Sequence, residues 1–99
     1  MRAELDINAK YDLDPIQIRV LNEILFAESN NKKINVGQIL RHSEIASQAT
    51  LHAALKKLQA KRLVNYETEN DSRVKYLMLT KLGLKRYSEL AKVIDNKQK

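Results

Sequence analysis

The stretch SQATLHAALKKLQAKRLV, residues 47–64, decides how this chain folds. Leu51, Leu55 and Leu58, with Ala54 alongside, recur at three- and four-residue spacing and make one face of a helix. Ser47 precedes the run and is a good N-cap, its hydroxyl oxygen placed to accept from the Ala49 or Thr50 backbone N–H. Removing the stripe leaves Gln48, Ala49, His52, Ala53 and Lys56 on the opposite face. The two alanines let a helix backbone come close to a groove. Gln48 and His52 carry hydrogen-bonding heads suited to base edges, and Lys56 can reach a base or a phosphate. Thr50, at the third helical position, packs or donates to a phosphate, and Ser47 and Lys57 complete the candidate contact set. No acidic residue stands between Ala46 and Tyr66. A plain surface helix more often mixes signs to gain i,i+4 pairs.

Upstream, Asp14-Pro15-Ile16-Gln17 reads as a helix start, with Asp14 as cap, Pro15 in the first helical position and Gln17 reaching back as a capping box. Ile16, Val20, Leu21, Ile24 and Leu25 give the apolar face, and the polar SNNKK ends the helix near Glu28 or Ser29. Ile34 suits one short strand. A second helix is expected from about Val36 to His42, with Val36, Ile39 and Leu40 inward. Ser43 to Ala46 then form a turn whose Ile45 plugs the core. Two helices joined by a short turn are a helix-turn-helix. Before Asp14, the alternation of Leu5, Ile7 and Ala9 suits a short strand or an arm that packs on a partner.

Downstream, residues 63–68 are rich in branched and aromatic side chains and read as a strand, Asn70-Asp71-Ser72 is turn chemistry, and residues 74–79 return. Leu77 and Leu79 fall on one face of that strand, with Val74, Tyr76 and Met78 on the other. Thr80 caps a final helix towards Asp95, with an apolar stripe at Leu84, Tyr87, Leu90, Ala91 and Ile94. Three helices, a hairpin and a closing helix in this order make a winged helix-turn-helix, mainly α with a small β-hairpin.

Composition narrows the chemistry. Ninety-nine residues with 43% apolar content make one domain with a single modest core. There is no cysteine, and His42 and His52 lie ten positions apart, a spacing that fits no metal motif. No metal or cofactor is therefore expected. With two glycines there is no phosphate-cradling loop, and no serine, histidine and carboxylate stand in a catalytic pattern, so enzyme activity is not expected. No apolar run is long enough to span a membrane, and the first residues lack the apolar centre of a signal peptide, which suits a cytoplasmic, nucleoid-associated protein. The net charge of +6 is unevenly spread. Residues 32–64 hold seven basic and one acidic side chain, whereas residues 1–31 hold three basic and six acidic. Such a basic patch is the footprint of a nucleic-acid binder.

The segment from Val36 to Leu90 resembles the MarR-type winged-helix transcriptional regulators. The resemblance is carried by residues 47–64, by Asp71-Ser72-Arg73 at the tip of the wing, and by the exit LMLTKLG, residues 77–83. It implies sequence-specific binding to duplex DNA as a homodimer, with residues of the third helix in the major groove. Arg73, matching the wing arginine, would enter or border the minor groove with Lys75 beside it, and Asp71 would orient Arg73. Two features depart from the family pattern. The glycine usual before the Leu-Val entry is Arg62, so the turn into the wing is made without its permissive residue. Both terminal segments are also short for the family, which argues against a small-molecule effector pocket.

The expected organisation is an N-terminal arm over residues 1–13, a winged-helix DNA-binding domain over 14–80, and a C-terminal dimerisation helix over 81–99 carrying Leu84, Tyr87, Leu90, Ala91 and Ile94. The expected function is a DNA-binding regulator, a repressor acting as a homodimer. The rival reading is a protein-interaction module of a replication or transcription complex, docking through Tyr76 and Met78.

Overall fold

A computed structural model describes the backbone of residues 2–68 and 73–98 and the side chains of residues 5–68 and 73–93. The elements run α1 (Arg2–Lys10), α2 (Pro15–Ser29), β1 (Ile34–Asn35), α3 (Val36–Leu40), α4 (Gln48–Ala60), β2 (Val64–Thr68), β3 (Lys75–Leu79) and α5 (Lys81–Gln98). The antiparallel sheet has order β1-β3-β2, with Ile34 opposite Leu77 and Val64 opposite Leu79. This is the winged helix-turn-helix expected from the sequence. Among the described residues no helix is long and apolar enough to cross a membrane.

The core lies where α2, α3 and α4 meet the base of the wing. Val20, Leu21 and Ile24 of α2, Ile39 of α3, and Leu51, Ala54, Leu55 and Leu58 of α4 are buried together with Leu63, Val64, Leu77 and Leu79. Ile16, Leu25, Val36, Leu40 and Ile45 pack against its edge, half-buried. These are the apolar positions that the helical and alternating periodicities select.

Three local expectations are corrected. The N-terminal segment is a helix, not a strand. Three alternating residues are too few to specify a strand, whereas contacts with α5 support α1: Arg86 Nε and Nη2 donate to Asn8 Oδ1 at 3.2 and 2.7 Å, and the Tyr11 hydroxyl donates to Glu89 Oε1 at 2.8 Å. Gln17 does not close a capping box. Asp14 Oδ1 accepts from the Gln17 N–H at 2.7 Å as expected, but the Gln17 side chain is buried and its Oε1 accepts from Lys61 Nζ at 2.8 Å. The capping box belongs instead to α3, between Asn35 and Gln38. Finally, α3 stops at Leu40, two residues short of the expected end, because Arg41 caps it and His42 turns away to other partners.

None of the helix ends in the first two-thirds of the chain uses glycine. Asp12, Asn31 and Arg62 take φ of 57, 56 and 62°. Each follows the C-cap of α1, α2 or α4, and each end carries the paired bonds of a Schellman motif. At α4 the Arg62 N–H donates to the Gln59 carbonyl at 2.9 Å and the Leu63 N–H to the Leu58 carbonyl at 3.0 Å. Arg62 thus adopts the left-handed backbone that glycine would supply, at the position where the family glycine is missing. The two glycines serve elsewhere. Gly83 lets the first turn of α5 lie against the wing entry, since a Cβ there would stand 2.5 Å from the Leu63 carbonyl oxygen. Thr80 completes the junction: its N–H donates to that same carbonyl at 3.1 Å, its hydroxyl donates to the Arg62 carbonyl at 2.6 Å, and its Oγ1 accepts from the Gly83 N–H at 3.0 Å.

Candidate nucleic-acid interface

The outward face of α4 is the one the heptad-like stripe leaves over. Gln48, Ala49, Thr50, His52, Ala53, Lys56 and Lys57 are all exposed, while Leu51, Ala54, Leu55 and Leu58 are buried beneath them. The helix start is built from side chains. Ser47 Oγ accepts from the Thr50 N–H at 3.2 Å and donates its own proton to Thr50 Oγ1 at 3.0 Å. In that arrangement the exposed Thr50 hydroxyl keeps its own proton to donate. The far end is tied to the scaffold. Lys61 Nζ donates to the Asp12 carbonyl and to Gln17 Oε1, so this cation anchors α4 to the loop before α2 and is spent internally. Lys56 and Lys57 are the lysines of the helix that stay at its surface.

The wing follows α4 directly, its first strand β2 starting at Val64. Arg73 is exposed at the foot of β3. With Val74 and Lys75 it faces Asn35, Val36 and Gly37 across a groove of about 360 Å³. Sequence reasoning did not select the α3 side of this groove, because Asn35 and Gly37 carry no charge and become neighbours of the wing only through the β1–β3 pairing. Lys75 lies over the Tyr66 ring at 5.8 Å, and Lys33 over the Tyr76 ring at 5.5 Å, so both cations rest on aromatic faces of the sheet. Burial raises the Tyr66 hydroxyl above its ordinary range. Asp71 lies outside the described residues, as does the Ile94 side chain.

The remaining candidates on α5 divide between two directions. Leu84 and Ala91 are exposed and Leu90 is half-buried. Tyr87 packs against the core, and its hydroxyl donates to Asn22 Oδ1 of α2 at 2.6 Å. Burial of that ring raises the Tyr87 hydroxyl above its ordinary range. Arg86 is 1% exposed beside α1, and among the described residues its Nη1 has no partner. His42, expected at the negative end of the second helix, instead meets two carboxylates, those of Glu44 and Glu23.

The comparisons with known proteins agree with this geometry. The model of the MarR family matches residues 11–73. The chain belongs to the MarR family. The match starts well before Val36, where the motif-level resemblance begins, and therefore takes in α2 as well as the helix-turn-helix and the first strand of the wing. Among curated proteins none matches the sequence significantly. Solved structures do match in shape. MepR of Staphylococcus aureus, in complex with DNA, is aligned over 100% of this chain and 79% of its own, with a TM-score of 0.82 at 19% identity. MepR bound to ethidium bromide gives a TM-score of 0.78 at 17% identity over 98% of this chain and 68% of its own. A transcriptional regulator of Thermotoga maritima gives 0.78 at 17% identity, over 95% and 63%. At such identities the likeness is one of fold, and this MarR-family chain shares the winged-helix frame of those proteins.

Proposed function

We propose that this MarR-family chain is a sequence-specific duplex-DNA-binding transcriptional regulator that represses as a homodimer. The observation that carries the reading is the outer face of α4: seven exposed positions from Gln48 to Lys57, small or hydrogen-bonding or basic, with no acidic side chain among them. In the proposed complex α4 enters the major groove. Gln48 and His52 address base edges, Ala49 and Ala53 permit the approach, and Ser47, Thr50, Lys56 and Lys57 meet bases or phosphates. Arg73 and Lys75 bring the wing to the minor groove, with Asp71 supporting Arg73. The solved MepR–DNA complex, which has the same fold, supports this mode.

One such module reads few base pairs, and specific affinity ordinarily comes from two half-sites about one helical turn, roughly 34 Å, apart. The apolar side chains left outward on the terminal helices, Leu5 at 68% and Leu84 at 48% exposed, are where a second copy would pack, along with Leu90, Ala91 and Ile94 of α5. Repression would follow from occupying a promoter in the nucleoid. No effector ligand is assigned.

The test is fluorescence anisotropy with duplexes from the region flanking the protein's own coding sequence, across a salt titration with competitor DNA, and sedimentation for the oligomer. Selective binding by a dimer is expected. Lys56→Ala and Arg73→Ala should weaken binding without unfolding the protein, and each lost phosphate contact should lower the log–log salt slope by about 0.9. An Arg73→Ala protein that binds as tightly as the parent at every salt concentration removes the wing from the mechanism. Absence of any retention would point to the interaction-module reading, in which the exposed Met78 meets a protein partner.

A further inference from the structure

The turn between α3 and α4 is wound around a single residue. The His42 N–H donates to the Ile39 carbonyl at 3.0 Å, and the His42 carbonyl accepts from the Ile45 N–H at 2.9 Å and the Ala46 N–H at 3.4 Å. Ser47, the cap of α4, follows directly. The His42 ring, 30% exposed, leaves this turn and stands between two carboxylates. Its Nδ1 lies 2.5 Å from Glu44 Oε1 within the turn, and its Nε2 lies 3.6 Å from Glu23 Oε2 on α2.

A neutral imidazole has one N–H and one lone pair, so it can serve one of these carboxylates and turns a lone pair towards the other. The imidazolium form alone offers a donor to both. The two ring nitrogens point to different acidic groups, so the cluster is a bridge and not a chelating site. The Glu44 carboxylate is held below its usual range, first by the hydrogen bond from His42, and the Arg19 guanidinium of α2 pulls weakly in the same direction. Among the described residues, the charged groups at this cluster are Glu23 and Arg19 from α2 and Glu44 from the turn.

We propose that His42, when protonated, is a positioning residue for α4: it clamps the helix-turn-helix turn to α2, so that DNA affinity falls when the ring gives up its second proton. The inference rests on the DNA-binding reading given above. His42 is on the scaffold side of the turn and is not one of the outward α4 side chains. It acts by fixing where α4 begins. Deprotonation removes one arm of the bridge and leaves the Glu23 and Glu44 carboxylates with one N–H between them. The Ser47 cap and the exposed face behind it then have a looser seat on α2.

The experiment measures anisotropy with the flanking-region duplex at constant ionic strength from about pH 5.5 to pH 8, with the His42 ring followed by NMR over the same range. The parent should lose affinity by about three- to tenfold across the range, the scale of one or two partly exposed ion pairs. His42→Gln should bind at the level of the high-pH parent. His52→Gln removes the other histidine, on the outward face of α4, whose own protonation beside DNA would add a slope of the same sign, so the His42→Gln comparison is made in that background as well, and there it should show no slope. A His42→Gln protein that retains the parent's pH dependence overturns the proposal. In parallel, NMR on the DNA-free protein should show the amides of residues 43–50 shifting with the His42 ring titration. Amides that ignore that titration also overturn it. If the parent binds no duplex at any pH, the DNA-binding reading fails, while the NMR coupling still decides the clamp.

Discussion

Gly83→Ala isolates the contact that joins α4, the wing and α5. A methyl group at Gly83 would stand 2.5 Å from the Leu63 carbonyl oxygen and 3.3 Å from Leu79 Cδ2. The oxygen cannot easily yield. Leu63 is fully buried, its N–H closes the end of α4, and the same carbonyl accepts from Thr80. Restoring an ordinary carbon–oxygen separation of about 3.3 Å requires the first turn of α5 to retreat by about 0.8 Å. That movement pulls on both Thr80 hydroxyl bonds. Overpacking of this kind costs about 1–3 kcal/mol, and the better helix propensity of alanine returns at most about 1 kcal/mol. The expected net loss is about 1–2 kcal/mol, or a Tm lower by roughly 5–15 °C for a domain of this length. Thermal and urea unfolding followed by far-UV circular dichroism measures it, with an unchanged urea m-value expected. Gly37→Ala is the internal control. Its Cβ would meet the Asn35 Oδ1 at 3.3 Å, an atom held by the Gln38 N–H, and the Arg41 Nη2 at 4.0 Å, so a shift of only a few tenths of an ångström is needed. That variant should be neutral or slightly more stable. A Gly83→Ala protein as stable as the parent would refute the close approach.

Two further perturbations follow from the helix junctions. Arg62→Gly removes a side chain from a left-handed backbone with φ of 62°, and should raise stability by about 0.5–1 kcal/mol after the entropy cost of glycine, read as a higher urea midpoint. A lower midpoint would mean that the Arg62 side chain contributes more than its backbone costs. Asn8→Asp gives the buried Arg86 a carboxylate where it now has an amide oxygen, and should stabilise by about 1 kcal/mol at neutral pH. The guanidinium holds the new carboxyl below its unfolded value of about 3.9, so the gain is fully present above that pH and is lost as pH falls through the folded pKa. Unfolding midpoints for the two proteins that differ equally at pH 7 and pH 2.5 would show that charge is not the cause.

What was legible in the sequence is what short-range chemistry determines. The α4 stripe, the Ser47 cap, the Thr80 cap and the two wing strands each announce themselves within a few residues, and each lies where the periodicity puts it. The features that were not legible depend on partners far along the chain. The helical state of residues 2–10 is supported by Arg86 and Glu89, seventy-eight or more positions away. Gln17 gives up the local capping box because Lys61, forty-four positions on, supplies a donor to its buried side chain. His42 leaves α3 for Glu23 of α2, which no helical spacing suggests. The candidate site was legible as a face, since that needs only the stripe opposite, but the α3 side of the wing groove was not, because it exists only after β1 pairs with β3.

The position of residue 62 shows how a departure from a family pattern can be read physically. The missing glycine marked a place where the chain needs a left-handed residue, and the chain takes that conformation with arginine in place. The requirement comes from the junction itself. The Arg62 and Leu63 carbonyls must both turn towards Thr80, one to receive its hydroxyl and the other its N–H. A right-handed residue at 62 would carry α4 onward and point those carbonyls elsewhere. The wing would then lose its fixed origin on α4. The geometry between α4 and Arg73 of the wing is thus set by a handful of backbone bonds behind the proposed interface. The backbone of residue 62, more than its side chain, is what that geometry depends on.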